Sequence, residues 1–511
     1  MRGRAAIAGG LAAAAALAAG QLPSALAGET GSLVTAVGDE VIDRFAASLK
    51  DFAVAIFGTN DKAALVVGIV VTSIAIGAAL GVVAVRRFAF AAAGFAVFGA
   101  VGLASGLASQ QSTPPITIVS AVVAVVAALG VLWTLLRVAA PPPHDPGHLG
   151  EAKIRVFDRR AFLAWTGGAG LATVGAGLTA NAVRGRALST EARGRVALPE
   201  PARATPVPAA GDIDVRGLSP YITPNADFYR IDTALTTPRV DVKPWRLKIR
   251  GDVDEPFELT LDELLAMDLI EEPVTIACVS NEIGGGLVGN AVWLGVPLAA
   301  LLDRAGVQRS GTQIVGRSVD RFTVGFPTEV GLDGRVAMVA VGMNGEPLPF
   351  AHGFPARLVV AGLYGYVSAT KWLDEIELTG LDAFDAYWIP RGWAKEAPVK
   401  TQSRIDVPRA GARLEPGAVT IAGVAWAPTR GIAGVEVQVD DTPWQAARLG
   451  TAATDNTWVQ WAVPWDATPG RHELRVRATD GSGQTQTADR TSPRPDGATG
   501  WHHRTVRVAA T

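Results

Sequence analysis

Apolar positions dominate the N-terminal part of the chain, in long runs that carry no charge. They extend approximately over Ala5–Gly28, Ala63–Val85, Phe88–Ser109, Ile116–Leu136 and Ala161–Val183. Each run approaches the roughly 20 residues needed to cross a bilayer as a helix. The pattern therefore predicts about five transmembrane helices within residues 1–185. The first and last runs are rich in Ala and Gly and less apolar than the middle three. The first also fits a cleaved signal peptide, because a short basic start leads into small residues before Gly28.

Basic residues in the short loops orient these spans. Arg2 and Arg4, the pair Arg86-Arg87, and Arg137, Lys153, Arg155, Arg159 and Arg160 all fall on the cytoplasmic side if five spans start from an inside N-terminus. Residues 29–62 and everything after residue 184 then lie on the extracytoplasmic side of a multi-pass cell-membrane protein. The fifth run opens with DRRAFLAW, where Arg159 and Arg160 resemble an internal twin-arginine export signal; the same pair also serves as ordinary cytoplasmic flanking charge. No span contains a histidine or a charged residue, which argues against an intramembrane haem held by two histidines and against an ion path. The region reads as an anchor, or as a docking surface for another membrane protein.

The pattern changes twice more. Residues 186–217 are rich in Ala, Pro and Arg without apolar periodicity, predicting a semi-extended linker. Residues 218–400 mix short β-forming runs, WRLKIRGDV and RLVVAGLYG, with LTLDELLAM, where a Thr before an acidic, leucine-spaced turn predicts a helix start. This is the texture of an α+β domain with its own core. From 403 to 511 the runs AVTIAGVAWA, GVEVQVDD, TWVQWAVPW and RHELRVRATD alternate and are separated by Gly, Pro and Asp, predicting an all-β sandwich of immunoglobulin-like type.

Composition narrows the chemistry. Charged residues are 18% and mean hydropathy is +0.25, as expected of membrane segments diluting a soluble remainder. A formal net charge of −2 provides no field for nucleic acid. The single cysteine, Cys278, excludes an intrachain disulfide, a four-thiolate zinc site, an all-cysteine iron–sulfur cluster and c-type haem attachment by two cysteines. With no haem or iron–sulfur module in this chain, electrons have to pass to or from a separate partner.

Cys278 closes the apolar run PVTIA and leads into glycines, in IACVSNEIGGG. Taken alone, it fits a small buried hydrophobe as well as it fits a ligand. Its neighbours add information. TPNADFYRIDTALTTPRVDVKPWRLKIRGDV, VTIACVSNE and MNGEPLPFAHGFPARLVVAGLYGYVSATKWLDEIEL, in that order, resemble the sulfite oxidase family of molybdenum enzymes. The sandwich with its closing GWHHRTVRV resembles that family's immunoglobulin-like dimerisation domain, so the resemblance covers roughly residues 218–511.

The resemblance implies a molybdenum–molybdopterin cofactor with Cys278 as thiolate ligand to the metal. It implies that Arg230 lies close to the metal oxygens and that Tyr387, in FDAYW, is the active-site tyrosine. Cofactor contacts are implied for Tyr229, Arg230, Cys278, Asn281, His352, Arg357, Ser368 and Lys371. The reaction implied is oxygen-atom transfer to or from a small oxyanion or sulfoxide, with a cytochrome or quinone-linked protein as electron partner and a homodimer through the sandwich. Sulfoxide reduction is the alternative direction, and a catalytically silent anchored binding or scaffold protein the alternative class. One departure bears on substrate. Sulfite oxidases follow the cysteine with Ala-Gly-Asn and two arginines, the second helping to bind the anion. Here the run is Val279-Ser280-Asn281-Glu282-Ile283, which keeps Asn281 and lacks both cations.

Overall fold

A computed structural model of the chain describes residues 2–27, 31–45, 61–108, 113–139, 159–187, 193–208 and 213–510. It divides into two compact units, one made of Met1–Glu191 with Thr233–Arg239, the other of Ala192–Asp232 with Val240–Thr511.

The first unit is helical: α1 (Arg2–Ala19), α2 (Leu22–Leu26), α3 (Leu33–Phe45), α4 (Asp61–Ala84), α5 (Phe88–Ala108), α6 (Pro114–Ala139) and α7 (Arg159–Ala187). Four segments, Arg2–Leu26, Ala64–Ala84, Phe88–Ala108 and Pro114–Val138, are long and apolar enough to cross a membrane. The fifth expected span is also helical, as α7, with side chains described only over residues 164–179. The loop residues Lys153 and Arg155, and the side chains of Arg159 and Arg160, lie outside the described residues. The stretch 29–62, expected on the extracytoplasmic side, contains helix α3.

Helix α1 packs against α4 and α6. Its backbone meets that of α4 so closely that a Cβ on Gly9 would lie 2.1 Å from the Gly77 carbonyl oxygen. Small residues permit this approach where apolar solvent provides no drive for helix association.

The second unit holds two sheets and a sandwich. The first sheet has the order β1 (Arg203–Ala204), β4 (Ile270–Ala277), β5 (Val288–Pro297), β8 (Ala337–Met343) and β10 (Arg357–Val360), with β9 (Glu346–Pro347) on β8. The second runs β3 (Phe257–Leu259), β2 (Leu247–Gly251), β11 (Leu373–Thr379), β6 (Gln313–Ser318) and β7 (Thr323–Pro327). Strand β8, AMVAVGM, is buried at every position, as a continuous apolar run requires when both faces are covered. Strand β2 alternates buried and exposed over its first four residues. Leu247, Val296, Val339, Leu358 and Ile376 contribute to the core of this region.

The helix start read in LTLDELLAM forms as α8 (Leu261–Leu265), where Thr260 accepts from the Glu263 N–H and Glu263 reaches back to the Thr260 N–H. Helix α9 (Leu298–Ala305) is amphipathic and stops at Gly306, whose φ of 66° is costly for residues with a Cβ.

Two boundaries differ from the expectation. Residues 193–208 are not a loose tether: β1 pairs in parallel with β4, and Val196 and Leu198 pack on the core. The apolar period is too short there to show in sequence, since a two-residue edge strand is defined by its partner. The two soluble segments also form one body. Trp458 donates through Nε1 to the Tyr221 carbonyl at 2.7 Å, and Thr275 N–H to the Asn456 carbonyl at 2.9 Å. Residues 402–508 build a four-stranded and a five-stranded sheet, which share a core containing Ile405, Val435, Trp461, Leu474 and Val506.

Candidate active site

Cys278 sits immediately after β4, where the sheet stops and the chain turns through 278–287 into β5. It is 8% exposed. Its N–H donates to the Leu287 carbonyl at 2.9 Å, and its carbonyl accepts from the Asn281 N–H at 3.1 Å. Sγ is 2.9 Å from Ser280 Oγ, so a hydroxyl stands ready to stabilise a thiolate. Asn281 closes the turn: Oδ1 accepts from the Leu287 N–H at 2.8 Å, while its buried Nδ2 has no partner among the described residues. A buried amide donor left unmade is costly, and here it lies in the turn that carries the thiol.

A second group of polar side chains converges from β10, β11 and the loop before β2. Asp232, only 3% exposed at its side chain, accepts through Oδ2 from Lys371 Nζ at 2.7 Å and from Arg230 Nε at 2.8 Å. Lys371 also donates to the Ala351 carbonyl at 3.3 Å. Burial lowers the Lys371 pKa to about 8 against the opposing pull of Asp232. His352, in a short 3-10 turn ahead of β10, is 2.9 Å through Nε2 from the Asn225 carbonyl, which places the ring proton on Nε2. Burial, with Arg357, Lys371 and Arg230 nearby, drops its pKa to about 4, so it is neutral at pH 7.

Arg357 opens β10 and is 5% exposed. It stacks over the Trp293 ring at 4.9 Å and donates to the His352 and Leu358 carbonyls at 3.2 and 3.4 Å. Among the described residues no carboxylate pairs with it, and burial lowers its pKa to about 10. A buried guanidinium without a counter-anion is a strong cost unless an anion arrives from outside the chain. At Tyr229, burial and the Cys278 sulfur push the hydroxyl well above the ordinary tyrosine range, and Arg357 pulls it back.

The turn at Cys278 is thus joined electrostatically through Tyr229 to Arg357, and from there to His352, Lys371 and Arg230. Ser368 reaches this group through Tyr364. It is buried, and its Oγ donates to the Tyr364 carbonyl at 3.1 Å. Tyr387 is placed among Phe322, Trp388 and Arg391, whose guanidinium lies 3.8 Å from its ring centre. Tyr229 and Tyr364 both sense Cys278; the latter is pushed up to about 12, first by burial. Sequence reading passed over Asp232, Asn225 and Tyr364. Only Asp232 left a signal, as the carboxylate two residues after Arg230 in FYRID.

These residues fit a molybdopterin. The group carries an anionic phosphate, for which Arg357 is a buried, uncompensated fork, and ring amides, for which Asn281 Nδ2 and neutral His352 offer polar partners. One thiolate suits a metal whose other ligands arrive with the cofactor.

Comparison with known proteins agrees. Residues 234–388 match the oxidoreductase molybdopterin binding domain. Mitochondrial sulfite oxidase of Homo sapiens is 29% identical over 303 residues, covering 50% of this chain and 55% of the relative. That of Mus musculus is 30% identical over 272 residues, covering 45% and 49%. The NADH nitrate reductase of Solanum lycopersicum is 30% identical over 194 residues, 33% of this chain and 21% of the relative. The sulfane dehydrogenase SoxCD from Paracoccus pantotrophus shares the fold, with a TM-score of 0.50 and 24% identity over 57% of this chain and 84% of that one. The chain spans about half the length of the curated sulfite oxidases it matches.

Fold and site therefore fit a molybdopterin-binding oxidoreductase domain over residues 234–388. Within that class, the chain is similar to the sulfite oxidases over about half of its length.

Proposed function

We propose that this is a membrane-anchored enzyme whose soluble part works on the extracytoplasmic side and catalyses oxygen-atom transfer at a sulfur-containing small molecule. In the oxidising direction the balance is substrate plus water giving the oxygenated product, two protons and two electrons. When bound, the molybdenum cofactor supplies the oxygen-atom exchange and the two-electron redox change. The chain's own residues do the rest. Cys278 ligates the metal, with the Ser280 hydroxyl beside its sulfur. Arg357, His352, Asn281 and Lys371 hold the pterin and its phosphate, with Tyr229 and Ser368 flanking. Arg230, oriented by Asp232, presents positive charge toward the reacting oxygens. Tyr387 is the hydrogen-bond donor the family pattern assigns.

The observation that supports this reading best is the buried Arg357, 5% exposed and without a carboxylate among the described residues. Purified protein is expected to contain about one molybdenum per chain, as a single-cofactor site requires. A metal-free protein would favour the silent anchored scaffold instead.

Sulfite is not the favoured substrate. Glu282 is exposed, so solvent screens its charge, but the two arginines remain absent from the loop. The side chains packed around Ala277 and Val279, on either side of the cysteine, include Tyr364, Tyr366, Trp388 and Trp393. The reductive direction, on a sulfoxide, stays open; a rate screen over sulfite, sulfoxides and sulfane compounds decides it. A cytochrome or quinone-linked protein exchanges the two electrons. The packing of α1 against α4 and α6 supports a retained first helix, and Arg159-Arg160 an export signal for the folded, loaded domain. The β-sandwich serves as an immunoglobulin-like dimerisation module.

A further inference from the structure

The turn that carries Cys278 is held from outside its own domain. Toward its end, Gly284 and Gly285 lie against the C-terminal sandwich. Arg404, on the strand Gln402–Val407 and 8% exposed, donates through Nη1 to the Gly285 carbonyl at 2.9 Å. Its other donors are also used: Nη2 to Ser219 Oγ at 2.9 Å and Nε to Asp406 Oδ1 at 2.6 Å. One guanidinium thereby ties the sandwich, the segment before Tyr221 and the cysteine turn into a single junction. His502 covers the preceding residue. Its Nδ1 accepts from the Ile405 N–H at 2.9 Å, and its ring lies where a Cβ on Gly284 would sit, 2.2 Å from Cδ2. Gly284 has a φ of 76°, so the turn needs glycine both for its backbone and for the ring above it. Gly285 is equally confined, since a Cβ there would meet Asn281 Oδ1 at 2.5 Å.

We propose that Arg404 and His502 are positioning residues for Cys278: the sandwich clamps residues 284–285 and so fixes the turn in which the thiol and Asn281 are presented. The lever is short. Gly285 N–H donates to the Glu282 carbonyl at 2.8 Å, and Asn281 and Cys278 both bond Leu287 across the turn. Releasing the Gly285 carbonyl frees the far arm of that turn, and the thiol moves with it. The clamp gives the C-terminal domain a role in the site itself, beyond assembly. Its catalytic consequence rests on the reading of Cys278 as the metal ligand, but the position of the thiol can be measured whether or not a metal binds.

Cys278 is the single cysteine in the chain, so maleimide labelling reads one site. The experiment uses the full chain in detergent, produced in a host that makes no molybdopterin. Arg404→Met keeps the apolar stem and removes the donors; it is expected to label at least about tenfold faster than wild type, a local opening of the turn. His502→Ala is expected to shift labelling in the same direction. Arg430→Met is the control, because the hydrogen bonds of Arg430 among the described residues go to Asp480, Val399 and Thr401 and none to residues 278–286. It is expected to lower the melting temperature and leave labelling within about twofold of wild type. Wild-type labelling rates in folded Arg404→Met and His502→Ala would overturn the proposal. So would an equal acceleration in Arg430→Met. Should Arg404→Met not fold, His502→Ala, which removes only the ring above Gly284, carries the same test.

Discussion

Lys371 Nζ and Asp232 Oδ2 lie 2.7 Å apart in the interior, and the same oxygen accepts from Arg230 Nε at 2.8 Å. One carboxylate thus serves two cations, and removing it leaves the buried Lys371 without its counter-charge. Asp232→Asn is expected to destabilise the soluble part by about 3–5 kcal/mol, the usual cost of breaking a buried pair from one side. Urea denaturation checks this; a change under about 1 kcal/mol would show that the pair is dispensable.

Histidine 352 makes stability depend on pH. Its folded pKa, about 4, lies below the ordinary 6.5 because burial disfavours the cation. Between those values the unfolded chain binds the extra proton, so stability is retained above pH 6.5 and lost as pH falls toward 4. The loss amounts to roughly 3 kcal/mol. His352→Gln, which keeps a donor for the Asn225 carbonyl, is expected to flatten that slope in cofactor-free protein. Denaturation midpoints of the two proteins at pH 7 and pH 4.5 compare them directly, and parallel slopes would exclude His352 as the source.

Arg357→Lys tests the anion site. Lysine keeps the charge but loses the planar fork and the stacking on Trp293. Pterin content per chain, read by fluorescence of the released cofactor, is expected to fall at least about tenfold, or roughly 1.4 kcal/mol in affinity. Full occupancy in the variant would remove Arg357 from the cofactor site.

Substrate choice is tested by restoring a cation. In the cysteine turn, Ile283 stands where the family places the anion-binding arginine. Ile283→Arg is expected to raise kcat/KM for sulfite by about tenfold or more while leaving metal content unchanged. An unchanged sulfite rate in a fully loaded variant would show that the missing arginines do not set specificity.

Much of this was legible before any coordinates. The capping box at Thr260 and Glu263 follows from local chemistry, and the buried run of β4 from its apolar letters. Cys278, His352, Arg357 and Lys371 stand out because their motifs are contiguous. What stayed hidden depends on distance along the chain. Asp232 meets Lys371 across 139 residues, and Arg404 meets Gly285 across 119; no local pattern encodes such pairs. Strand β1 escaped notice because two residues among prolines form a strand only when β4 is beside them. For Tyr387, the sequence position gives no geometry, and its aromatic surroundings of Phe322, Trp388 and Arg391 are visible only in the fold.

The central claim is that Cys278 holds a molybdenum cofactor. X-ray absorption at the molybdenum edge, on purified wild type and Cys278→Ala, tests it most directly. The account predicts about one molybdenum per wild-type chain, with a sulfur shell that loses one scatterer in the variant. Protein without molybdenum, or a sulfur shell unchanged by the substitution, would contradict it.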